Sequence, residues 1–163
     1  MKLHRNSQKR FYNENGVYFV TTNTHEGYPY FNEDLFCELF VENLKYSRTL
    51  KGFEIFAYKI NPEHVHLLIQ PGKKYNYSQI MGSLKRNFSR DCNDLMEMRE
   101  FVRSHKGDDS NRRLYGLDDE FKRLHAVLDK LDFYNHLQYI QNQAIKHKLK
   151  ENKYCFVNQE VCV

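Results

Sequence analysis

Short runs rich in β-branched and aromatic residues alternate along the chain with segments whose apolar residues repeat at helical spacing. The first run, residues 17–22, follows an Asn-Gly turn signal and predicts a β-strand. Residues 53–60 and 64–70 form two more runs, and the three residues between them favour an antiparallel hairpin. Residues 124–128 complete the set, so the pattern predicts four strands.

Three other segments have apolar residues three and four positions apart, which is typical of amphipathic helices. The first follows Asn32, a candidate N-cap, and extends to Gly52. The second covers about 78–98, and the third follows the candidate caps Asp129 and Asp132. The predicted order is βαββαβα. Two helices over a four-stranded, mainly antiparallel sheet would bury the apolar stripes in one core, an α+β fold.

Composition supports one globular domain spanning residues 1–163, since 40% of the residues are hydrophobic and 28% are charged. Residues 101–117 are polar and predict a loop. The N-terminus is polar, and no apolar run is long enough to span a bilayer, so we expect a cytoplasmic protein without a membrane partner. The four cysteines form no CxxC pair, and we expect free thiols.

The net charge of +4 is unevenly distributed, because residues 65–90 contain five lysines and arginines and no Asp or Glu. A basic stretch with interleaved aromatic residues is typical of a nucleic-acid interface, and equally of a solvated helix face. The candidate DNA contacts are Lys73, Lys74, Tyr75, Tyr77, Lys85, Arg86 and Arg90.

Two histidines lie two positions apart in the run at 64–70. His64 and His66 would project from the same face of a strand, with Val65 and Leu67 directed to the opposite face. Paired imidazoles can occupy adjacent positions on a divalent metal ion. Such a pair taken alone is more often structural than metal-binding.

The last predicted helix supplies a second candidate group. Tyr139 and Gln143 are four residues apart and would share one helix face, near which His136 also falls. The amide oxygen of Gln143 could complete a metal site. Tyr139 alone is a weak signal, because the chain has 12 tyrosines.

Taken together, residues 61–69 (Asn-Pro-Glu-His-Val-His-Leu-Leu-Ile) and 139–143 (Tyr-Ile-Gln-Asn-Gln) resemble the motifs of the single-tyrosine HUH transposases of insertion sequences. Residues 17–22 and 80–86 are most similar to the REP-associated tyrosine transposases within that group. The resemblance covers about 11–150 and leaves 151–163 as a tail.

This resemblance implies a ferredoxin-like core with the catalytic tyrosine, Tyr139, on the C-terminal helix. It implies that His64, His66 and Gln143 bind Mg²⁺ or Mn²⁺. Tyr139 would form a 5′-phosphotyrosine intermediate during cleavage and rejoining of single-stranded or hairpin DNA. It also implies a prokaryotic, nucleoid-associated protein.

Two further residues are candidates for proton transfer or for supporting the metal ligands. His136 lies one helical turn from Tyr139 and could take its proton. Glu63 could orient the site, bind the metal, or serve only as the acidic residue of the hairpin turn, which we favour.

One alternative is a non-catalytic DNA- or RNA-binding module on the same fold, in which the histidines are structural. A metal-dependent hydrolase built on a barrel is excluded, because such barrels need about 250 residues. The sequence leaves open whether the protein acts as a monomer or as a homodimer.

Overall fold

A computed structural model describes residues 15–103, 123–149 and 152–158. Within these ranges no helix is both long enough and apolar enough to cross a membrane. The elements in chain order are β1 Tyr18–Asn23, α1 Asp34–Lys51, β2 Glu54–Asn61, β3 His64–Gln70, α2 Tyr77–Arg103, β4 Arg123–Ala126, α3 Lys130–Gln141, α4 Gln143–Lys146 and β5 Cys155–Val157.

The strands form one sheet in the order β4-β1-β3-β2-β5, and every neighbouring pair is antiparallel. The first four strands and α1 to α3 confirm the predicted α+β, ferredoxin-like βαββαβα order. The fifth strand is a correction, since the segment from residue 151 was predicted only as a tail. Three residues are too few to show the alternation that identifies a strand.

The sheet carries apolar side chains on both faces, so the prediction of one core is wrong. Val65, Leu67 and Ile69 pack on one face with α1 and α2. Leu68 belongs to a second cluster on the other face, together with residues of β1, β2 and α3. Because β3 is buried on both faces, the sheet has a second hydrophobic core, and α3 covers it.

The bounds of the first helix differ from the sequence prediction at its start. Asn32 is the last residue of a 3₁₀ turn, and its N–H donates to Pro29 O, so it does not cap α1. Glu33 occupies the N-cap position without a side-chain capping bond. The predicted end is confirmed: Gly52 follows α1 with a φ of 64°, and its N–H donates to Arg48 O.

The predicted start of α3 agrees with the structure, whereas α2 ends about five residues later than the predicted 98. Asp129 caps α3 and accepts a hydrogen bond from Asp132 N at 2.8 Å. Helix α2 continues to Arg103, which places the start of the predicted 101–117 loop inside the helix. Residues 104–117 lie outside the described ranges.

The turn between β2 and β3 is fixed by backbone contacts to the segment after β1. Thr24 donates to Glu63 O through its backbone N–H at 2.9 Å and its hydroxyl at 3.1 Å. Phe31 N donates to Pro62 O at 3.1 Å. These bonds hold the two residues immediately before His64, so contacts from Thr24 and from Phe31 fix the position of the start of β3.

The segment 152–158 returns to the free edge of β2. Ile60 N donates to Tyr154 O at 3.0 Å, and Asn152 Nδ2 donates to Ile60 O at 3.0 Å. The ammonium group of Lys59, a buried residue, donates to Asn152 Oδ1 at 2.9 Å. The C-terminal segment therefore satisfies polar groups that β2 would otherwise leave exposed at the edge of the sheet.

Candidate metal and nucleophile site

The two histidines of β3 lie on the face of the sheet that α3 covers. Their ring centroids are 4.8 Å apart, and the rings meet edge to face. Val65 and Leu67 pack on the opposite face, as strand alternation predicts. The structure thus brings His64 and His66 together on one side of the sheet.

The ring of His66 is oriented by Thr21, its cross-strand neighbour on β1. The Thr21 hydroxyl lies 2.9 Å from Nδ1, and both residues are buried. The Phe19 ring stacks on the imidazole with centroids 5.4 Å apart. Because Nδ1 faces Thr21, the hydrogen bond fixes the direction in which the opposite ring nitrogen, Nε2, points.

His64 is held between two polar side chains. Its Nδ1 lies 3.1 Å from Glu63 Oε1, and its Nε2 lies 3.0 Å from Asn61 Nδ2. Glu63 therefore contributes its backbone carbonyl to the turn and its carboxylate to the orientation of His64. A carboxylate on Nδ1 is a common arrangement behind a metal-binding imidazole.

Helix α3 places Tyr139 against the buried histidine. The Tyr139 ring is half-buried, and its centroid lies 5.4 Å from that of His66 and 5.8 Å from that of Phe19. The ammonium group of Lys146 lies 4.5 Å from the centroid of the Tyr139 ring. The predicted nucleophile and His66 are thus neighbours across the interface between helix and sheet.

Gln143 begins the short helix α4, so the last helix is interrupted at Asn142. The interruption does not separate Gln143 from Tyr139, because Gln143 Nε2 donates to Tyr139 O at 3.0 Å. Gln143 is fully buried, and its Oε1 has no hydrogen-bond partner among the residues that the structure describes. A buried amide oxygen without a partner is costly and fits a bound cation.

The donor set fits a divalent metal. Two imidazoles and an amide oxygen are suitable ligands and leave coordination positions for phosphate and water. Over the described ranges, no three His, Cys, Asp or Glu side chains are grouped to hold a metal ion. The candidate ligands His64, His66 and Gln143 are not such a group, because Gln143 is an amide.

His136 lies one turn before Tyr139 on α3. Its Nδ1 is 2.8 Å from Asp132 O and 3.2 Å from Asp132 Oδ1, and its ring centroid is 4.5 Å from that of Phe19. Phe19 therefore contacts His66, His136 and Tyr139 alike, and organises the aromatic part of the site.

The candidate DNA contacts occupy a different part of the molecule. Arg86 and Arg90 are exposed on α2, which packs on the face of the sheet opposite the histidines, and they line an open groove of about 710 Å³. Asp94 and Glu97 line the same groove, and Arg90 also contacts Asp91. The groove is therefore of mixed charge.

Two of the candidate DNA contacts are not surface residues. Tyr77 is 1% exposed and packs on Tyr18 with ring centroids 4.6 Å apart, so it cannot stack on a base. Lys85 lines the groove, but it is largely buried. Tyr77 therefore belongs to the side of α2 that faces the core.

The remaining candidates lie on the connection between β3 and α2. Lys73 and Lys74 are exposed, and Tyr75 is half-buried. The ammonium group of Lys51 lies 4.1 Å from the centroid of the Tyr75 ring. A positive surface therefore continues from the end of α1 into this connection.

Comparison with known proteins gives one family. The family model for IS200-like transposases matches residues 15–113, a range that includes both histidines and ends before Tyr139. A protein of Haemophilus influenzae described as a REP-associated tyrosine transposase is 30% identical over 145 residues, covering 85% of this chain and 76% of that protein.

A solved structure has the same fold. The structure of a REP-associated tyrosine transposase bound to a REP hairpin superimposes with a TM-score of 0.69 and 17% sequence identity. The match covers 93% of this chain and 82% of that chain.

Proposed function

Since this chain belongs to the family of IS200-like transposases, we propose that it cleaves and rejoins single-stranded DNA beside hairpins, using a divalent metal ion and a 5′-phosphotyrosine intermediate. Because this family consists of transposases, its match confirms the prediction that the protein is a transposase. The observation that carries the finer proposal is the position of Tyr139, whose ring centroid lies 5.4 Å from that of His66.

In this proposal His64, His66 and Gln143 hold Mg²⁺ or Mn²⁺, which supplies charge stabilisation for the scissile phosphate. Thr21 and Glu63 engage Nδ1 of the two imidazoles, so both rings present Nε2. The polar groups are thus oriented before substrate arrives, which reduces the reorganisation needed during the reaction.

Tyr139 is the proposed nucleophile. Its Oη attacks phosphorus, a P–Oη bond forms, the P–O3′ bond breaks, and the leaving oxygen takes a proton to become a 3′-hydroxyl. Attack by a 3′-hydroxyl on the phosphotyrosine reverses these steps and rejoins strands, so no nucleotide cofactor is needed. His136 is the proposed acceptor of the phenolic proton; its Nδ1 contacts Asp132, so Nε2 would be the nitrogen that takes the proton.

The proposed partner is hairpin DNA, because the REP-associated transposase with the same fold was solved with a REP hairpin. Lys73, Lys74, Arg86 and Arg90 are the exposed cations that would contact phosphates. Tyr75 remains the candidate for stacking on an unpaired base. We further propose that the protein is nucleoid-associated in a prokaryotic cell, because its family acts on DNA.

Incubation with end-labelled single-stranded hairpin DNA and Mn²⁺, followed by a denaturing gel, tests the proposal. We expect the wild-type protein to give cleaved DNA and a covalent adduct. Tyr139→Phe should bind the same DNA without forming an adduct, because the attacking oxygen is lost. His64→Ala should lose metal-dependent cleavage. Tyr134→Phe is the matched control, since Tyr134 is a half-buried tyrosine on the same helix.

Binding without cleavage or adduct, on hairpins of several sequences, would instead support the non-catalytic binding module. An adduct that persists in Tyr139→Phe would show that another residue is the nucleophile.

A further inference from the structure

The proposed ligand trio leaves Asn61 unused, although this residue lies directly beside His64. Asn61 is the last residue of β2 and is paired with His64, the first residue of β3. Paired residues on antiparallel strands project from the same face of the sheet. The Asn61 side chain is therefore on the side of the histidines, and only 1% of the residue is exposed.

Asn61 presents its amide to the ring nitrogen that would bind the metal. Its Nδ2 lies 3.0 Å from His64 Nε2. Its Oδ1 is buried and has no hydrogen-bond partner within residues 15–103, 123–149 and 152–158. A buried carbonyl oxygen of this kind indicates a partner other than the described residues, such as a bound ion or water.

The Nε2 lone pair of His64 can accept a hydrogen bond or bind a cation, but it cannot do both. Glu63 contacts Nδ1, which selects Nε2 as the metal-binding nitrogen. When Nε2 binds a cation, the Asn61 N–H can no longer donate to it. A half-turn of the amide exchanges its nitrogen and oxygen positions and turns the oxygen toward the cation.

The spacing agrees with this arrangement. Two ligands at right angles on an ion, each at about 2.1 Å, are about 3.0 Å apart. The terminal amide atom of Asn61 and His64 Nε2 are 3.0 Å apart. We propose that Asn61 Oδ1 is a further metal ligand, adjacent to His64 Nε2, in a site that also contains His66 and Gln143. This inference rests on the proposed metal site.

Calorimetric titration of the full-length protein with Mn²⁺, without DNA, tests the assignment. We expect Asn61→Ala to bind Mn²⁺ at least about tenfold more weakly than the wild type. Asn61→Asp should retain or strengthen binding, because a carboxylate is a stronger ligand for a hard cation. Asn43→Ala is the matched control: Asn43 is also buried, but it lies on α1 and contacts Asp91.

Pulsed electron paramagnetic resonance of bound Mn²⁺ separates a ligand from a residue that merely orients His64. Loss of a ligand should add one coordinated water in Asn61→Ala, whereas loss of an orienting contact would leave the number of waters unchanged. If Asn61→Ala does not fold, a crystal structure of the wild type with Mn²⁺ decides. Coordination by Oδ1 supports the assignment, and an Asn61 side chain turned away from the ion overturns it.

Two failures can be distinguished. If the wild type binds Mn²⁺ and forms the adduct, while Asn61→Ala has unchanged affinity and water number, the assignment of Asn61 alone is overturned. If the wild type binds no Mn²⁺, both this assignment and the metal-dependent mechanism are overturned.

Discussion

Each histidine of the proposed site is held through the same ring atom. Thr21 engages Nδ1 of His66 with its hydroxyl, and Glu63 approaches Nδ1 of His64 with its carboxylate. The two supporting residues also differ in burial: Thr21 is buried, whereas the side chain of Glu63 is half-exposed. His64 therefore has an anionic support near solvent, and His66 has a neutral one in the interior.

Lys146 adds a positive charge beside the proposed nucleophile. Its ammonium group is 4.5 Å from the centroid of the Tyr139 ring, and a nearby cation stabilises both a phenolate and an approaching phosphate. We expect Lys146→Ala to slow adduct formation by roughly fivefold at saturating DNA. Lys146→Arg should retain most of the rate, since the charge is kept.

Single-turnover rates of adduct formation give the measurement. Lys130→Ala is the control, because Lys130 lies over the ring of Tyr134 on the same helix, at 5.8 Å from its centroid. Equal slowing in both variants would assign the effect to the general positive charge of α3 and α4 and not to Lys146 itself.

At the residue scale, sequence reasoning found the groups whose proximity follows from local spacing. His64 and His66 are two apart on a strand, and Gln143 is four residues after Tyr139. Thr21 and Asn61 were missed, because their nearness to the histidines depends on strand register, which alternation does not supply.

The assignment of Tyr77 to the DNA interface could have been avoided. Tyr77, Met81, Leu84 and Phe88 recur at helical spacing, and all four are buried in the same core cluster. Aromatic character alone does not distinguish a base-stacking residue from a core residue, whereas its place in the apolar stripe does.

At the element scale, the three-residue strand β5 depends on the contacts that precede it. Asn152 accepts from the Lys59 ammonium group and donates to Ile60 O. We expect Asn152→Ala to lower the free energy of unfolding by about 2 kcal/mol, because it removes a partner from a buried charge and from a backbone carbonyl.

Urea denaturation monitored by circular dichroism measures this change. Lys45→Ala is the control: it removes an exposed pair with Glu42, and such pairs contribute less than about 1 kcal/mol. Unchanged stability in Asn152→Ala would mean that the side-chain contacts of Asn152 add nothing to the folded state.

The long elements were the more predictable ones. Helices α1 and α2 are 18 and 27 residues long, so each holds several turns of apolar spacing and the signal accumulates. The start of α1 could not be predicted from Asn32, because Asn32 is the last residue of the 3₁₀ turn at Tyr30–Asn32 and does not cap the helix.

At the scale of the whole molecule, the sheet separates two kinds of surface. The histidines and Tyr139 lie on the α3 face, and the exposed arginines of α2 lie on the outside of the opposite layer. Substitutions on α2 should therefore change DNA affinity without changing the chemical step.

Arg86→Ala tests this separation. We expect weaker hairpin binding and a dependence of log affinity on log salt that is shallower by about one unit, because one phosphate contact is lost. The rate of adduct formation at saturating DNA should stay the same. Binding isotherms at several salt concentrations give the slope.

Arg48→Ala is the control for general charge, since Arg48 is an exposed cation on α1 that pairs with Glu54 at 2.8 Å. If Arg86→Ala keeps the wild-type affinity and the wild-type slope of log affinity against log salt, the α2 groove is not part of the DNA interface.

The overall topology was predictable because the order of strands and helices allows few sheet arrangements. The division into two cores was not, because an apolar strand such as β3 does not show from its sequence which helices cover each face.

The tyrosine helix is anchored to the sheet of its own chain on both sides along the sequence. Before α3, β4 pairs with β1, and Val127 N donates to Val17 O at 2.8 Å. After it, β5 pairs with β2. An exchange of α3 between two copies of this protein would have to accommodate the pairing of β5 with β2, since β5 follows α3 in the same chain. Within the described residues, one chain brings the proposed nucleophile Tyr139 next to His66, and the pairing of β4 and β5 with its own sheet favours that arrangement over an exchanged one.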